Sequence, residues 1–218
     1  MKRIMCYGDS NTWGYNPQNK QRFDEATRWT KLVQQLLGSE YEIIEEGLNG
    51  RTFANDEPGR ASRNGFKHLQ MLLETNRPLD LIIIMLGTND LKTVYNANPK
   101  SIGRGLRETI RLIQNPFTYE GMAMPKILVV SPILIGDNYQ SASDTFESFN
   151  QNSYENAKRL ASFYQEQAEK HGCYFADAAK WAQASLVDAI HMDEANHRLF
   201  AETISKVIKA IDNQDIEH

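Results

Sequence analysis

Residues 8–14 read Gly-Asp-Ser-Asn-Thr-Trp-Gly, directly after a short apolar run. Gly and Asp suffice for a turn there; the serine raises the question of chemistry. A hydroxyl is a poor nucleophile near neutral pH. It needs a base, and the base needs a group that fixes its tautomer and stabilises its charged form. His191 can serve as the base of Ser10. Asp188 stands three residues earlier, in Asp188-Ala189-Ile190-His191, where a short loop can turn its carboxylate onto the ring nitrogen facing away from the serine. A tetrahedral intermediate also needs donors aimed at its oxyanion. Ser10 offers its own backbone N–H if it opens a helix, Gly50 an N–H with no side chain in the way, and Asn89 a side-chain amide. The chemistry these types can perform together is acyl transfer through a serine.

Each piece alone is weak. Gly-Asp-Ser is a common turn, Gly87-Thr88-Asn89-Asp90 could be a plain loop, and a single histidine near a chain end is usually a packed or surface residue. Their joint placement carries the reading. Asp9 and Asp90 are better explained as braces of their own turns through backbone N–H groups. His197 is a fallback base, and Asp193 reads as the N-cap of the last helix. Trp13, Phe53 and Ile133, with Ile135 and Tyr139, are expected near the same edge and are candidates to line a substrate pocket. Arg51 could meet a substrate acid or form a surface ion pair. The spacing of Asp188, His191 and His197 matches no common zinc pattern. The expected site therefore uses no metal and no cofactor.

Five short runs rich in Ile, Val, Leu and aromatics read as strands: 3–7, 41–45, 79–86, 126–131 and 173–177. The third and fourth are continuously apolar, as in strands buried on both faces. Helical periodicity lies between them, at 28–38 (ending in Gly38), 65–76 and 101–114. One long helix is expected from Phe146 to about Lys170, and a last helix from Asp193. Strands alternating with helices give a five-stranded parallel sheet in a three-layer α/β/α sandwich of the doubly wound kind. Ligands in such sheets bind beyond the carboxyl ends of the strands. Ser10, Gly50, Asn89 and the Asp188–His191 loop all follow strands at that edge. The irregular segments 52–64, 117–125 and 132–145 are long enough to be functional loops.

The chain has 218 residues with 24 basic and 28 acidic side chains, a formal charge of −4. That suits one domain over 1–218 and offers no basic stripe for nucleic acid or an anionic membrane. The two cysteines, Cys6 and Cys173, sit in apolar runs without metal-binding spacing and are expected to be buried thiols. The N-terminus is too short of apolar residues for a signal peptide, and no apolar run approaches membrane-spanning length. A cytoplasmic protein is expected.

The motifs GDSNTWG, EGLNGRT, GTND and DAIH, taken in this order, resemble those of the SGNH hydrolases, or GDSL-type esterases and lipases. The resemblance runs from Arg3 to about Phe200. It is closest to the arylesterase and acyltransferase (perhydrolase-like) branch, which the stretches KRIMCYGDSNTWGY, RWTKLVQQL, LDLIIIMLGTND and KILVVSP also resemble. It implies a flavodoxin-like SGNH hydrolase fold and a serine esterase for short-chain acyl and aryl esters, working through an acyl-enzyme. Ser10 would be the nucleophile, with Asp188 and His191 completing the triad. Ser10, Gly50 and Asn89 would form the oxyanion hole. It also implies alcohols or peroxide as alternative acceptors, and a homo-oligomer. Two positions depart from the family pattern. Asn11 stands where leucine is frequent. Ala189 stands where glycine is usual, and a left-handed backbone there would strain an alanine by about 1 kcal/mol. A carbohydrate O-deacetylase or an acyl thioesterase could use the same triad. A flavodoxin-like nucleotide-binding module is the non-enzymatic alternative, but it leaves Asn89, Asp188 and His191 without a role.

Overall fold

The computed structural model describes residues 1–142 and 147–213. Five strands, β1 (Lys2–Gly8), β2 (Tyr41–Gly47), β3 (Leu81–Met85), β4 (Lys126–Ser131) and β5 (Tyr174–Asp177), form one sheet in the order β2-β1-β3-β4-β5. Every pairing is parallel; Cys6 lies opposite both Glu45 and Ile83. The order reverses once, between β1 and β3, so the loops leaving these two strands diverge and open a crevice between them.

Alternation along the strands divides the core in two. Met5, Tyr7, Ile82, Ile84 and Val129 point to one face. They meet Leu69 and Leu73 of α3 (Gly65–Asn76), Ile102, Leu106 and Ile110 of α4 (Pro99–Ile113), and Leu160 and Tyr164 of α6 (Leu160–Lys170). Ile4, Cys6, Leu81, Ile83, Leu128 and Val130 point to the other. There they meet Trp29 and Val33 of α2 (Trp29–Leu37) and Phe200, Ile204 and Ile208 of α7 (Glu194–Asn213). The result is the three-layer α/β/α arrangement.

The helix starts follow local chemistry. Asn98 and Ser101 form a reciprocal capping box, so α4 begins two residues before the apolar periodicity does. Asp193 caps α7, accepting from the N–H of Asn196 at 2.9 Å. The single helix expected over 146–170 is a correction. Phe146 lies outside the described residues, Asn150 is extended and caps a short helix α5 (Gln151–Ala157), and α6 starts afresh at Leu160. Asn150 and Ser153 make a second capping box, and the Ser153 hydroxyl also donates to the carbonyl of Leu91 at 2.7 Å. That tether ties α5 to the loop after β3 rather than letting it run on as one rod. Both thiols are free; Cys6 is buried, whereas Cys173 is only half-buried.

Candidate active site

The turn after β1 is the first part of the site. Asp9 caps a single helical turn, α1 (Ser10–Trp13), its carboxylate accepting from the N–H of Asn11 at 3.0 Å. Ser10 thus occupies the first helical position, where the backbone N–H has no intrahelical acceptor. The turn can sit this low because residue 47, at the end of β2, is glycine. A β-carbon there would collide with the backbone of Thr12 and Trp13.

The second part is the loop before α7. The Ser10 hydroxyl lies 2.8 Å from Nε2 of His191, and Nδ1 of His191 lies 2.5 Å from a carboxylate oxygen of Asp188. The other Asp188 oxygen accepts from the N–H groups of Ile190 and His191, each at 3.0 Å. Burial pushes the Asp188 carboxyl up, but the hydrogen bond and charge of His191 outweigh it and hold it below the usual carboxylate range. Ala189 has φ +63 and is fully buried. The left-handed turn that the family's glycine suggested is present, and an alanine adopts it. The Tyr15 ring lies against that of His191, centroids 4.2 Å apart.

Asn11 connects the two parts. Its amide nitrogen donates to the carbonyl of Ile190 at 3.2 Å, and its amide oxygen accepts from the N–H of Met192 at 2.9 Å. The side chain therefore clamps the backbone on both sides of His191. Its own carbonyl accepts from the Trp29 indole at 3.0 Å. The departure from leucine noted in the sequence thus supplies support for the histidine loop.

The third part comprises the loops after β2 and β3. Gly50 has φ +80, and a β-carbon on it would collide with the Arg63 guanidinium. The Asn89 amide nitrogen donates to the carbonyl of Arg51 at 3.1 Å and lies 3.5 Å from Asp9. Asp90 receives the N–H of Phe53 and the Asn55 amide, which joins the two loops. Ser10, Gly50, Asn89, Asp188 and His191 line one cleft of about 220 Å³.

Several expected positions fall elsewhere. Phe53 is buried in the core, its ring against Tyr164 at 6.0 Å, because Asp90 fixes its backbone and turns the side chain inward. Ile133 is buried on the opposite sheet face. Trp13 is half-buried beneath the Arg22 guanidinium, 5.4 Å from its ring centroid. None of the three lines the cleft. Arg51 is neither at the surface nor in the cleft. It is buried over the Tyr7 ring and donates to the carbonyls of Gly8 and Glu46, bracing the ends of β1 and β2. His197 is buried in α7, with Nδ1 receiving the N–H of Trp29 at 3.3 Å; burial and the charge of His191 push its pKa down to about 3. Conversely, Tyr15, Arg63, Lys92, Ser148, Phe149 and Ile190 line the cleft without having been singled out. Tyr15 stands in the stretch that carries the serine, and Arg63 falls in the irregular segment 52–64. Lys92 and Phe149 left no signal, since their place depends on how separate loops fold together. No group of three His, Cys, Asp or Glu side chains that could hold a metal ion occurs among the described residues, and none of their helices is long and apolar enough to cross a membrane.

Residues 6–199 match the GDSL-like Lipase/Acylhydrolase family. No match is found among curated proteins. Among solved structures, a carbohydrate acetylesterase from Sinorhizobium meliloti is 31% identical with a TM-score of 0.89, over 97% of this chain and 100% of that one. The native aryl esterase of M. smegmatis is 34% identical with a TM-score of 0.87, over 96% and 99%. A lipolytic G-D-S-L protein from Veillonella parvula, at 16% identity and a TM-score of 0.69 over 96% and 99%, shares the fold. The chain belongs to the GDSL-like lipase/acylhydrolase family.

Proposed function

We propose that the protein is a serine esterase for short-chain acyl esters. The observation that carries this is the continuous relay from the Ser10 hydroxyl to His191 to Asp188, at 2.8 and 2.5 Å. In this reading Ser10 Oγ attacks the ester carbonyl while His191 Nε2 takes its proton. Asp188 holds the tautomer and stabilises the imidazolium. The oxyanion is received by the N–H groups of Ser10 and Gly50 and by the Asn89 amide. His191 then protonates the leaving alcohol, leaving an acyl-enzyme. Water attacks through the same base and frees Ser10. An alcohol or peroxide in place of water would make the same intermediate an acyl donor. A cleft of about 220 Å³ favours a small acyl group.

A second reading, removal of O-acetyl groups from carbohydrate, draws support from the likeness to the S. meliloti acetylesterase. It needs the same serine chemistry and differs in the alcohol released. The test compares wild type with Ser10→Ala on p-nitrophenyl acetate in the presence of EDTA. Turnover by wild type alone is expected. Equal turnover by both proteins would remove Ser10 from the mechanism. Acetylated sugars in the same assay separate the two readings.

A further inference from the structure

The cleft contains more charge than ester hydrolysis needs. Two cations, Lys92 and Arg63, line it beside Ser10, Gly50 and Asn89. Arg63 is paired with Glu57, one of its nitrogens donating to both carboxylate oxygens at 2.6 and 2.5 Å. The Lys92 ammonium has no ion pair and no hydrogen bond among the described residues. It is half-buried all the same.

Nor is Lys92 on a loose strand. Its N–H donates to the carbonyl of Asn89 at 3.2 Å. The preceding carbonyl, of Leu91, accepts from the Ser153 hydroxyl, and the following N–H, of Thr93, donates to the carbonyl of Ser148 at 2.9 Å. The backbone is thus pinned on both sides, and the segment that pins it also supplies Ser148 and Phe149 to the cleft wall. Burial, then the neighbouring Arg63, push the lysine pKa down, and the charges of Glu57 and Asp9 oppose them without cancelling them. A long, flexible cation is held here beside Arg63 with no carboxylate in contact with its ammonium among the described residues, at some electrostatic cost. A bound anion would offset that cost.

We propose that Lys92, with Arg63 beside it, forms a subsite for an anionic group on the substrate, so that the preferred esters bear a carboxylate close to the scissile bond. This rests on Ser10 acting as the nucleophile. The small cleft places the charge only a few bonds from the ester carbonyl. The carboxylate can belong to the acyl group or to the alcohol, and both are recognised by the same chemistry.

The test uses two matched pairs. In the first, p-nitrophenyl hemisuccinate carries the charge on the acyl group and p-nitrophenyl butyrate is its neutral counterpart. In the second, para-acetoxybenzoate carries it on the leaving group and para-acetoxybenzamide does not. The quantity read is the ratio of kcat/KM, charged over neutral. In at least one pair, Lys92→Met is expected to lower this ratio about tenfold, equivalent to about 1.4 kcal/mol, and Lys92→Arg to restore most of it. The wild-type ratio should also shrink as NaCl rises from about 0.05 to about 0.5 M, since the site is open to screening ions. The responding pair identifies which half of the ester holds the charge. Ratios unchanged by Lys92→Met in both pairs would overturn the proposal. A lysine that merely steadies the oxyanion gives that result, because it lowers both members equally. Wild-type protein inactive on all four esters would instead overturn the serine-esterase reading, and the subsite with it.

Discussion

At the scale of single residues, Asn11 separates support of the site from its chemistry. Its amide is the only side chain bonded to the backbone on both sides of His191, through Ile190 and Met192, among the described residues. Asn11→Ala would strand a buried carbonyl and a buried N–H, each costing about 1–3 kcal/mol if unsatisfied. The loop would relax and His191 would lose its registration on Ser10. A small misplacement of a catalytic base is costly to turnover. Asn11→Ala is therefore expected to lower kcat about tenfold or more with KM little changed, as steady-state kinetics on p-nitrophenyl acetate would show. An unchanged kcat would reduce the clamp to packing. In the proposed mechanism the Asn89 amide donates to the oxyanion, so Asn89→Ala should lower kcat on the order of 10²–10³-fold. A change confined to KM would exclude that role. Ser10, Asp188, His191, Gly50 and Asn89 were all legible in the sequence because each belongs to a short motif after a strand. Asn11 was visible only as a departure; its partners lie some 180 positions away and exist only once the fold is formed.

At the scale of elements, the loop from Asp188 to His191 shows how local strain is held in place. Ala189 at φ +63 lies in the region that disfavours any side chain. The loop is over-determined: the Ala189 N–H donates to the Ser185 carbonyl at 3.0 Å, and its carbonyl accepts from Gly136 at 2.8 Å. Ala189→Gly relieves the strain but loses a buried methyl and gains unfolded-state freedom. The opposing effects should leave stability within about 1 kcal/mol of wild type. Ala189→Val adds branching in the same conformation against a tightly packed Gly136 and should cost about 2–4 kcal/mol. Urea unfolding of the two variants checks the contrast, and equal stabilities would deny the strain. The strands were legible because buried parallel strands are continuously apolar, as Leu81–Met85 is. The break near Asn150 was not. The apolar spacing across it fits a helix, and the competing signal is a capping box whose tether, Leu91, is distant in sequence. The pocket walls were hardest to read. Phe53 and Ile133 have the right types and the right edge, but their rings and chains turn into the two cores. No local pattern tells an inward from an outward apolar residue on an irregular loop.

At the scale of the whole molecule, the site places two neighbouring carboxyls in the interior, and stability should register it. Asp9 and Asp90 are both buried, in the loops leaving β1 and β3. Burial raises Asp9 to about 6, against the opposing Asn11 N–H and the charges of His191 and Arg51. Burial, then the charge of Asp9, raises Asp90 to about 7, against the Phe53 N–H and Asn55. A carboxyl whose pKa is higher folded than unfolded binds its proton more tightly in the native state. Its contribution to stability is fully present below the unfolded value, near 4, and is lost as pH rises through the folded one. The native protein should therefore lose stability between pH 5 and pH 8 as these groups ionise in place. Asp90→Asn keeps an acceptor for Phe53 and Asn55 but cannot ionise. The stability of Asp90→Asn minus that of wild type should rise by on the order of 2–3 kcal/mol from pH 5 to pH 8. His197 also loads the low-pH side: its folded pKa, pushed down to about 3, makes stability fall as pH drops below its unfolded value. That contribution is common to both proteins and cancels in the difference. Urea unfolding of both at several pH values in this range measures it directly. Parallel curves would mean that Asp90 is already ionised at no cost and that its loop is held by packing alone. Diverging curves would mean that the junction between the loops carrying Gly50 and Asn89 is kept at the expense of stability, as expected where a fold is shaped by its site.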